Sequence, residues 1–246
     1  MKIGIFDSGI GGLNVLDDFL KAGTKAEYIY VGDNFYVPYG TKTQEELEKI
    51  ITRILNFFEK QSVDAIFIAC NTASCASKNL KTNVPIYRII EPTCVKAREI
   101  NKSSSKPIAL LATNFTVSSH AYDDYLDNII GVKASAFVPL CEQNLMDTDY
   151  AKKVIADTLK DIKGKCDTII LGCTHFRLLK KQIIEYLGPV KIVDSCASFT
   201  DILKDLIGKN QLTKDVEPHI IFTKKDKINI DWFNHPYKGI DFIDIK

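Results

Sequence analysis

A chain of 246 residues, 46% hydrophobic and 26% charged, has the composition of an ordinary soluble globular protein, with apolar material for one large or two small cores. Its net charge is +1 and no run of Lys and Arg is long enough to track phosphates, so nucleic acid and anionic membrane are not expected partners and a small neutral or zwitterionic ligand is. The opening apolar stretch meets Asp7 at once, too soon for a signal peptide, and the longest apolar run, residues 65–70, is far below the roughly 18 to 20 residues that span a bilayer; a cytoplasmic protein is expected.

Seven cysteines in a chain without an export signal predict reduced thiols rather than a disulfide framework, and their spacings lack the C-x-x-C pairs typical of zinc sites. In chain order, short aliphatic runs at 2–6, 28–31, 65–69, 86–90, 108–112, 168–171 and 191–193 read as strands, each ending in small or polar residues and followed by a helical stretch. Several do not alternate polar and apolar residues, as expected for strands of a parallel sheet buried on both faces. Residues 44–59 place Leu47, Ile50, Ile51, Ile54, Leu55 and Phe58 on one helical face, and 151–162 and 199–207 read likewise. The polar stretch 101–107 is the clearest loop and marks the neighbourhood of a domain boundary.

The chain also echoes itself. Residues 3–8 resemble 108–113, and Ile66-Phe67-Ile68-Ala69-Cys70-Asn71-Thr72 resembles Ile169-Ile170-Leu171-Gly172-Cys173-Thr174, with offsets of 105 (Ile3 to Ile108) and 103 (Cys70 to Cys173). The expected fold is α/β: two pseudo-symmetric flavodoxin-like lobes with mostly parallel sheets, residues 1–93 plus 196–246 carrying Cys70 and residues 94–195 carrying Cys173. Ligands of open α/β sheets bind beyond the carboxyl ends of the strands, so the active site is expected in the cleft between the lobes, with a strand-end cysteine on either wall.

Cys70, in Ala69-Cys70-Asn71-Thr72-Ala73-Ser74, stands at a strand end with a helix starting after it, which favours thiolate; Asn71, Thr72 and Ser74 supply donors for an anion, and a small buried hydrophobe is the alternative. Cys173 ends a second such strand, with Thr174 as a donor and His175 as an acid–base group beside it. His120, His219 and His235 are taken as structural or solvated, and Cys75, Cys94, Cys141, Cys166 and Cys196 as packing residues. The turn Asp7-Ser8-Gly9-Ile10-Gly11-Gly12 suits backbone amides aimed at an anion but fails the G-x-G-x-x-G fingerprint, because Asn14 stands at the third glycine; Asp7 is either a solvated turn residue or a carboxylate that manages a thiol proton. The loop 32–42, with Phe35, Tyr36, Pro38, Tyr39 and Gly40, is either a rim of the site or a segment folded onto the core by its aromatics.

Two thiols suit one reaction in particular. Inverting an amino-acid α-carbon needs a base on one face and an acid on the other, and thiols of pKa about 8.5 serve both directions once polar neighbours activate one of them. The segments Asp7-Ser8-Gly9-Ile10-Gly11-Gly12, Pro38-Tyr39-Gly40, Ala69-Cys70-Asn71-Thr72-Ala73-Ser74, Ala112-Thr113-Asn114-Phe115-Thr116, Phe137-Val138-Pro139-Leu140 before Glu142, Gly172-Cys173-Thr174-His175-Phe176 and Val193-Asp194-Ser195 resemble, in order, the successive signatures of the glutamate racemases of the Asp/Glu racemase superfamily.

The resemblance implies interconversion of L- and D-glutamate without pyridoxal phosphate, metal or other cofactor, supplying D-glutamate to bacterial peptidoglycan. By motif position it makes Cys70 and Cys173 the proton donors and acceptors, with Asp7, Glu142 and His175 assisting. It gives Ser8, Tyr39, Gly40, Asn71, Thr72, Thr113 and Thr174 to the substrate through side chains or backbone amides, with Thr116 the alternative to Thr113. Members often dimerise, which admits a homodimer. Aspartate racemase is the alternative, disfavoured because those enzymes carry an acidic residue where this chain has His175 and lack the Asp-Ser opening. Asn34-Phe35-Tyr36-Val37 departs from the family's usual residues at that place, and the chain opens directly on its first strand, so activation by a peptidoglycan precursor is not expected. Two other classes remain open: a thiol redox enzyme, for which Cys75 is the one candidate resolving thiol, and a non-enzymatic two-lobed binding protein, which leaves the paired thiols without a purpose.

Overall fold

The structure, a computed structural model, describes residues 1–208, 217–226, 228, 237 and 239–245; His235 and parts of the 196–246 segment lie outside the described residues. The chain divides into two compact units, Met1–Ile89 with Cys196–Lys246, and Ile90–Ser195. In the first unit run β1 (Lys2–Asp7), α1 (Leu13–Lys21), β2 (Glu27–Gly32), α2 (Gln44–Lys60), β3 (Ala65–Ile68), α3 (Asn71–Ala76) and β4 (Ile86–Arg88). The second unit holds α4 (Ile90–Asn101), β5 (Ile108–Ala112), α5 (Asn114–Ser118), β6 (Ile129–Lys133), α6 (Phe137–Glu142), α7 (Asp149–Leu159), β7 (Thr168–Gly172), α8 (Lys180–Leu187) and β8 (Lys191–Asp194). Thereafter α9 (Phe199–Ile207), β9 (His219–Phe222) and β10 (Ile240–Phe242) belong to the first unit again.

The strand expected over 86–90 ends at Arg88, and Ile90 already opens α4. That helix packs on β7 and β8, so the polar stretch 101–107 is the connection from α4 to β5 inside the second unit, and the division falls earlier, between Ile89 and Ile90. The helix expected over 151–162 starts two residues earlier, where Thr148 accepts the Ala151 amide as its N-cap.

The first sheet has the order β10-β9-β2-β1-β3-β4 and the second β6-β5-β7-β8, with parallel pairing between all the described neighbours. The run β2-β1-β3-β4 and the run β6-β5-β7-β8 are one topology used twice, which is the structural content of the sequence echo. In each, the chain leaves the central pair in opposite directions, so a crevice opens at the carboxyl ends of β1 and β3 and, in the other unit, of β5 and β7. Register then decides which residues stand at each crevice. Phe6 pairs with Ile68, so Asp7 and Ala69-Cys70 leave the sheet side by side, and Ala112 pairs with Gly172, so Thr113 and Cys173 do the same.

Central strands β1, β3, β5 and β7 are buried on both faces apart from Lys2, as their unbroken aliphatic runs require. Helix α2 is opened by a capping box in which Thr43 and Glu46 satisfy each other's backbone amides, and all six apolar residues of its inner face are buried. Burying each contributes about 1.5–3 kcal/mol. Phe58 in its last turn packs against β1, so close that a Cβ at Gly4 would stand 2.7 Å from its ring. The strands that sequence reading misses, β6, β9 and β10, are edge or near-edge strands of three to five residues; β6 is half exposed and interrupted by Gly131, whose missing side chain leaves room for Val117.

Replacing Gly4 by Ala should lower the unfolding free energy by about 1–3 kcal/mol, the usual cost of overpacking. Adding Phe58→Leu, which withdraws the ring, should make the double variant less destabilised than the sum of the single ones; urea unfolding of the four proteins measures the coupling.

Candidate active site

The first unit places its strand-end groups around Cys70. Asp7 is fully buried, and its Oδ1 accepts the Gly9 amide at 3.0 Å, closing the turn that β1 enters. Gly12 is required behind it: a Cβ there would sit 2.4 Å from Asp7 Cβ and 3.0 Å from the Tyr30 hydroxyl. Tyr30, itself buried, donates its hydroxyl to the Gly9 carbonyl and holds the same turn from β2. Asp7 is therefore a turn residue, but a buried one whose charge bears on the thiol.

Cys70 caps α3: the Ala73 amide donates to its Sγ at 3.4 Å, and the thiol donates to Ser8 Oγ at 3.5 Å. The sequence argument that a helix start favours thiolate does not carry the balance here. Burial pushes the Cys70 thiol up to about 12, the negative charge of Asp7 pushes in the same direction, and the Ser8 and Ala73 hydrogen bonds only partly oppose them. Asn71 and Thr72 are buried in the first turn of α3, and Ser74 ties β3 to the chain after β4 by donating to the Ile68 carbonyl at 3.0 Å and accepting the Ile89 amide at 3.3 Å.

The loop after β2 does both things considered for it. Tyr39 folds inward, 6.3 Å from the Phe6 ring, and donates its hydroxyl to Asp33 Oδ2 at 2.6 Å, while Phe35 remains 57% exposed. With the hydroxyl committed to Asp33, what Tyr39 and Gly40 can offer an anion is main chain. Tyr36 lies under the Arg53 guanidinium, 4.6 Å from the ring centroid, which fixes the loop on α2.

In the second unit Thr113 caps α5, accepting the Thr116 amide at 3.2 Å and donating to Thr116 Oγ1 at 3.0 Å. The two threonines thus form one pair at the end of β5, with Thr113 the nearer to the strand. Cys173 and Thr174 are buried at the end of β7. His175 is buried, and its Nδ1 lies 3.9 Å from Cys173 Sγ while its Nε2 lies 3.6 Å from Glu142 Oε1. The second separation is too long for a hydrogen bond, and among the described residues Nε2 has no hydrogen-bond partner.

Helix α6 brings Glu142 there because Phe137 packs edge-on against Phe176, ring centroids 5.3 Å apart, and Cys141 donates its thiol to the His175 carbonyl at 3.4 Å. Burial holds the His175 imidazole down to about 4 and raises the Glu142 carboxyl above its usual range. The imidazole is therefore neutral at neutral pH, placed between a thiol and a carboxyl.

Of the residues singled out from sequence, Asp7, Ser8 and Cys70 stand together with Asn71 and Thr72 on the adjoining helix turn, and Cys173, Thr174, His175 and Glu142 stand together in the other unit. Four supporting residues escaped that reading. Asp33 follows a strand as Asp7 does and was findable by the same rule; Tyr30, Cys141 and Thr223 act through contacts that no local pattern announces. Among the described residues no helix is long and apolar enough to cross a membrane, and no group of three or more His, Cys, Asp or Glu is placed to hold a metal ion.

The chain is similar to known proteins over most of its length. The pattern of the Asp/Glu/Hydantoin racemase family matches residues 14–202. Glutamate racemase of Aquifex pyrophilus is 39% identical over 238 residues, covering 92% of this chain and 93% of that protein. Among solved structures, glutamate racemase from Thermus thermophilus in complex with β-chloro-D-alanine superposes with a TM-score of 0.85 at 29% identity, covering 98% of this chain and 96% of the other. Glutamate racemase from Francisella tularensis in complex with D-glutamate does so with a TM-score of 0.87 at 25% identity, covering 100% and 98%. A duplicated parallel fold, a thiol at each equivalent strand end and a likeness that runs over nearly the whole chain make this protein a member of the Asp/Glu/Hydantoin racemase family.

Proposed function

We propose that the chain is a cofactor-independent glutamate racemase in which Cys70 and Cys173 serve opposite faces of the substrate's α-carbon. The observation that carries this reading is that each strand-end thiol has its own acid–base neighbour: buried Asp7 for Cys70, and for Cys173 buried His175, which faces the more exposed Glu142. In a turnover one thiolate takes the α-proton as the other thiol gives one to the opposite face, so one S–H bond forms as the other breaks and the net change is inversion.

The two thiols are readied differently. A proton passed from Cys70 to Asp7 removes the charge that helps raise the thiol and leaves the thiolate beside a neutral carboxyl. At Cys173 the neutral imidazole accepts the thiol proton on Nδ1 while its Nε2–H faces Glu142, whose raised affinity for protons suits it to receive one. Shortening both separations by a few tenths of an ångström on substrate binding makes that relay continuous. Ser8, Asn71, Thr72, Thr113 and Thr174, with the main chain of Tyr39 and Gly40, hold the ammonium and the two carboxylates and stabilise the developing carbanion. Provision of D-glutamate for peptidoglycan in the cytoplasm, without a nucleic-acid partner and with a homodimer as the assembly, belongs to the same reading, which rests on the likeness to relatives named glutamate racemase.

Incubated with L-glutamate in deuterium oxide without added cofactor, the protein should exchange the α-hydrogen and bring the optical rotation to zero, and should do neither with aspartate. Cys70→Ser and Cys173→Ser should each lower racemisation by about 10²–10⁴-fold, and full activity with either cysteine replaced by alanine would sink the two-thiol reading.

A second expectation follows from His175. Its pKa is lower in the folded state, about 4, than the ordinary 6.5, so the unfolded chain binds this proton first as the pH falls. The stability associated with the neutral imidazole is whole above pH 6.5 and is lost on the way down to about 4, a loss of about 2 kcal/mol between pH 7.5 and pH 5. Glu142, raised by burial, acts in the opposite direction, so the comparison is made against His175→Gln, which should lose less stability over the same interval in urea unfolding at the two pH values.

A further inference from the structure

The two units share one four-strand topology, and among the described residues the first alone adds β9 and β10 to it. Strand β9 lies beside β2, with Phe222 opposite Gly32, so the residues that follow each strand run on together. There the loop after β2 is fastened to the chain after β9 by a ladder of side-chain bonds. Thr223 Oγ1 donates to Asp33 Oδ1 at 2.5 Å and accepts the Phe35 amide at 3.1 Å. Asn34 grips Lys224 at both ends, its Nδ2 donating to the Lys224 carbonyl at 2.9 Å and its Oδ1 accepting the Lys224 amide at 2.9 Å. The other oxygen of Asp33 accepts the Tyr39 hydroxyl at 2.6 Å.

The directions are fixed by chemistry. Because the Phe35 amide can only donate, it occupies a lone pair of Thr223 Oγ1, and the threonine's single proton is left for Asp33. Asp33 is a buried carboxylate whose two oxygens are each met by a hydroxyl, one from the loop and one from the far end of the chain. A carboxylate so placed is costly to leave half satisfied. Tyr39 is in turn the residue whose main chain, with that of Gly40, is read above as a substrate contact, and its ring sits within the electrostatic reach of Asp7 and Cys70. Position is thus transmitted from Thr223 through Asp33 to Tyr39 over a sequence distance of 190 residues.

We infer that Thr223, with Asn34 and Lys224, is a positioning element that sets the Tyr39-Gly40 loop for substrate binding, and that carrying it is the role of β9, the strand added beside β2. This rests on the reading of Tyr39 and Gly40 as substrate contacts. Thr223 touches no reacting atom in it; it acts through Asp33.

The test compares wild type, Thr223→Val and Thr223→Ser in glutamate racemisation, together with amide hydrogen exchange of residues 33–41. The valine keeps the shape and removes the hydroxyl; the serine keeps the hydroxyl. Expected is a rise in KM of about tenfold for Thr223→Val with kcat within threefold of wild type, faster exchange of residues 33–41, and recovery of both in Thr223→Ser. An unchanged KM in an active Thr223→Val protein, or a serine variant as impaired as the valine one, would overturn the inference. Should wild type fail to racemise glutamate, the proposed activity falls on its own, and the staple stands or falls with whether exchange of residues 33–41 accelerates in Thr223→Val alone. If Thr223→Val does not fold, Asn34→Ala, which removes the grip on Lys224 and leaves Asp33 and Tyr39 in place, should show the same rise in KM; no rise there would count against the inference.

Discussion

A thiol taken out of water becomes a weaker acid, and the polar arrangement at each strand end of this protein is organised around that fact. Cys70 is almost wholly buried, and burial outweighs the three hydrogen bonds that favour its ionised form. The neighbouring Asp7 makes ionisation harder still as long as it is charged. At the other thiol the same burial acts on a different group: it holds the His175 imidazole in its neutral form at neutral pH. One physical effect therefore produces two differently poised acid–base groups.

The topology explains why these groups stand where they do. A parallel sheet sends every strand toward the same edge, and the order shared by the two units leaves a crevice where the crossovers diverge. The residues that end the central strands are delivered to that crevice by register, with no help from the loops. The glycines serve the approach: Gly12 lets the turn close over Asp7 and Tyr30, and Gly172 ends β7 at a place where a Cβ would stand 2.6 Å from Leu110. Both units carry a strand-end thiol, and each thiol has a separate set of neighbours.

The division of labour inside the first unit follows the same logic. Strands β1 and β3 carry the groups assigned to chemistry, while β2 and its added neighbour β9 carry a loop and the means to hold it. A loop with an exposed Phe35 and a buried Tyr39 has little regular backbone pairing of its own, so side-chain bonds to a neighbouring strand end are what order it.

Much of this was legible in the sequence. The aliphatic runs that end in Asp7, Cys70 and Cys173, the inner face of α2 and the echo between the two halves are local or periodic, and local patterns survive in a one-dimensional string. What tertiary structure decided is of another kind. Edge strands such as β6 and β10 are short and half exposed, so burial never imposed a pattern on them. The bond from Thr223 to Asp33 joins residues 190 apart and leaves no trace near either. The sign of the Cys70 shift could not be read from a helix start, because it is set by how much water the folded chain removes from the sulfur, and that quantity exists only once the surrounding elements have packed.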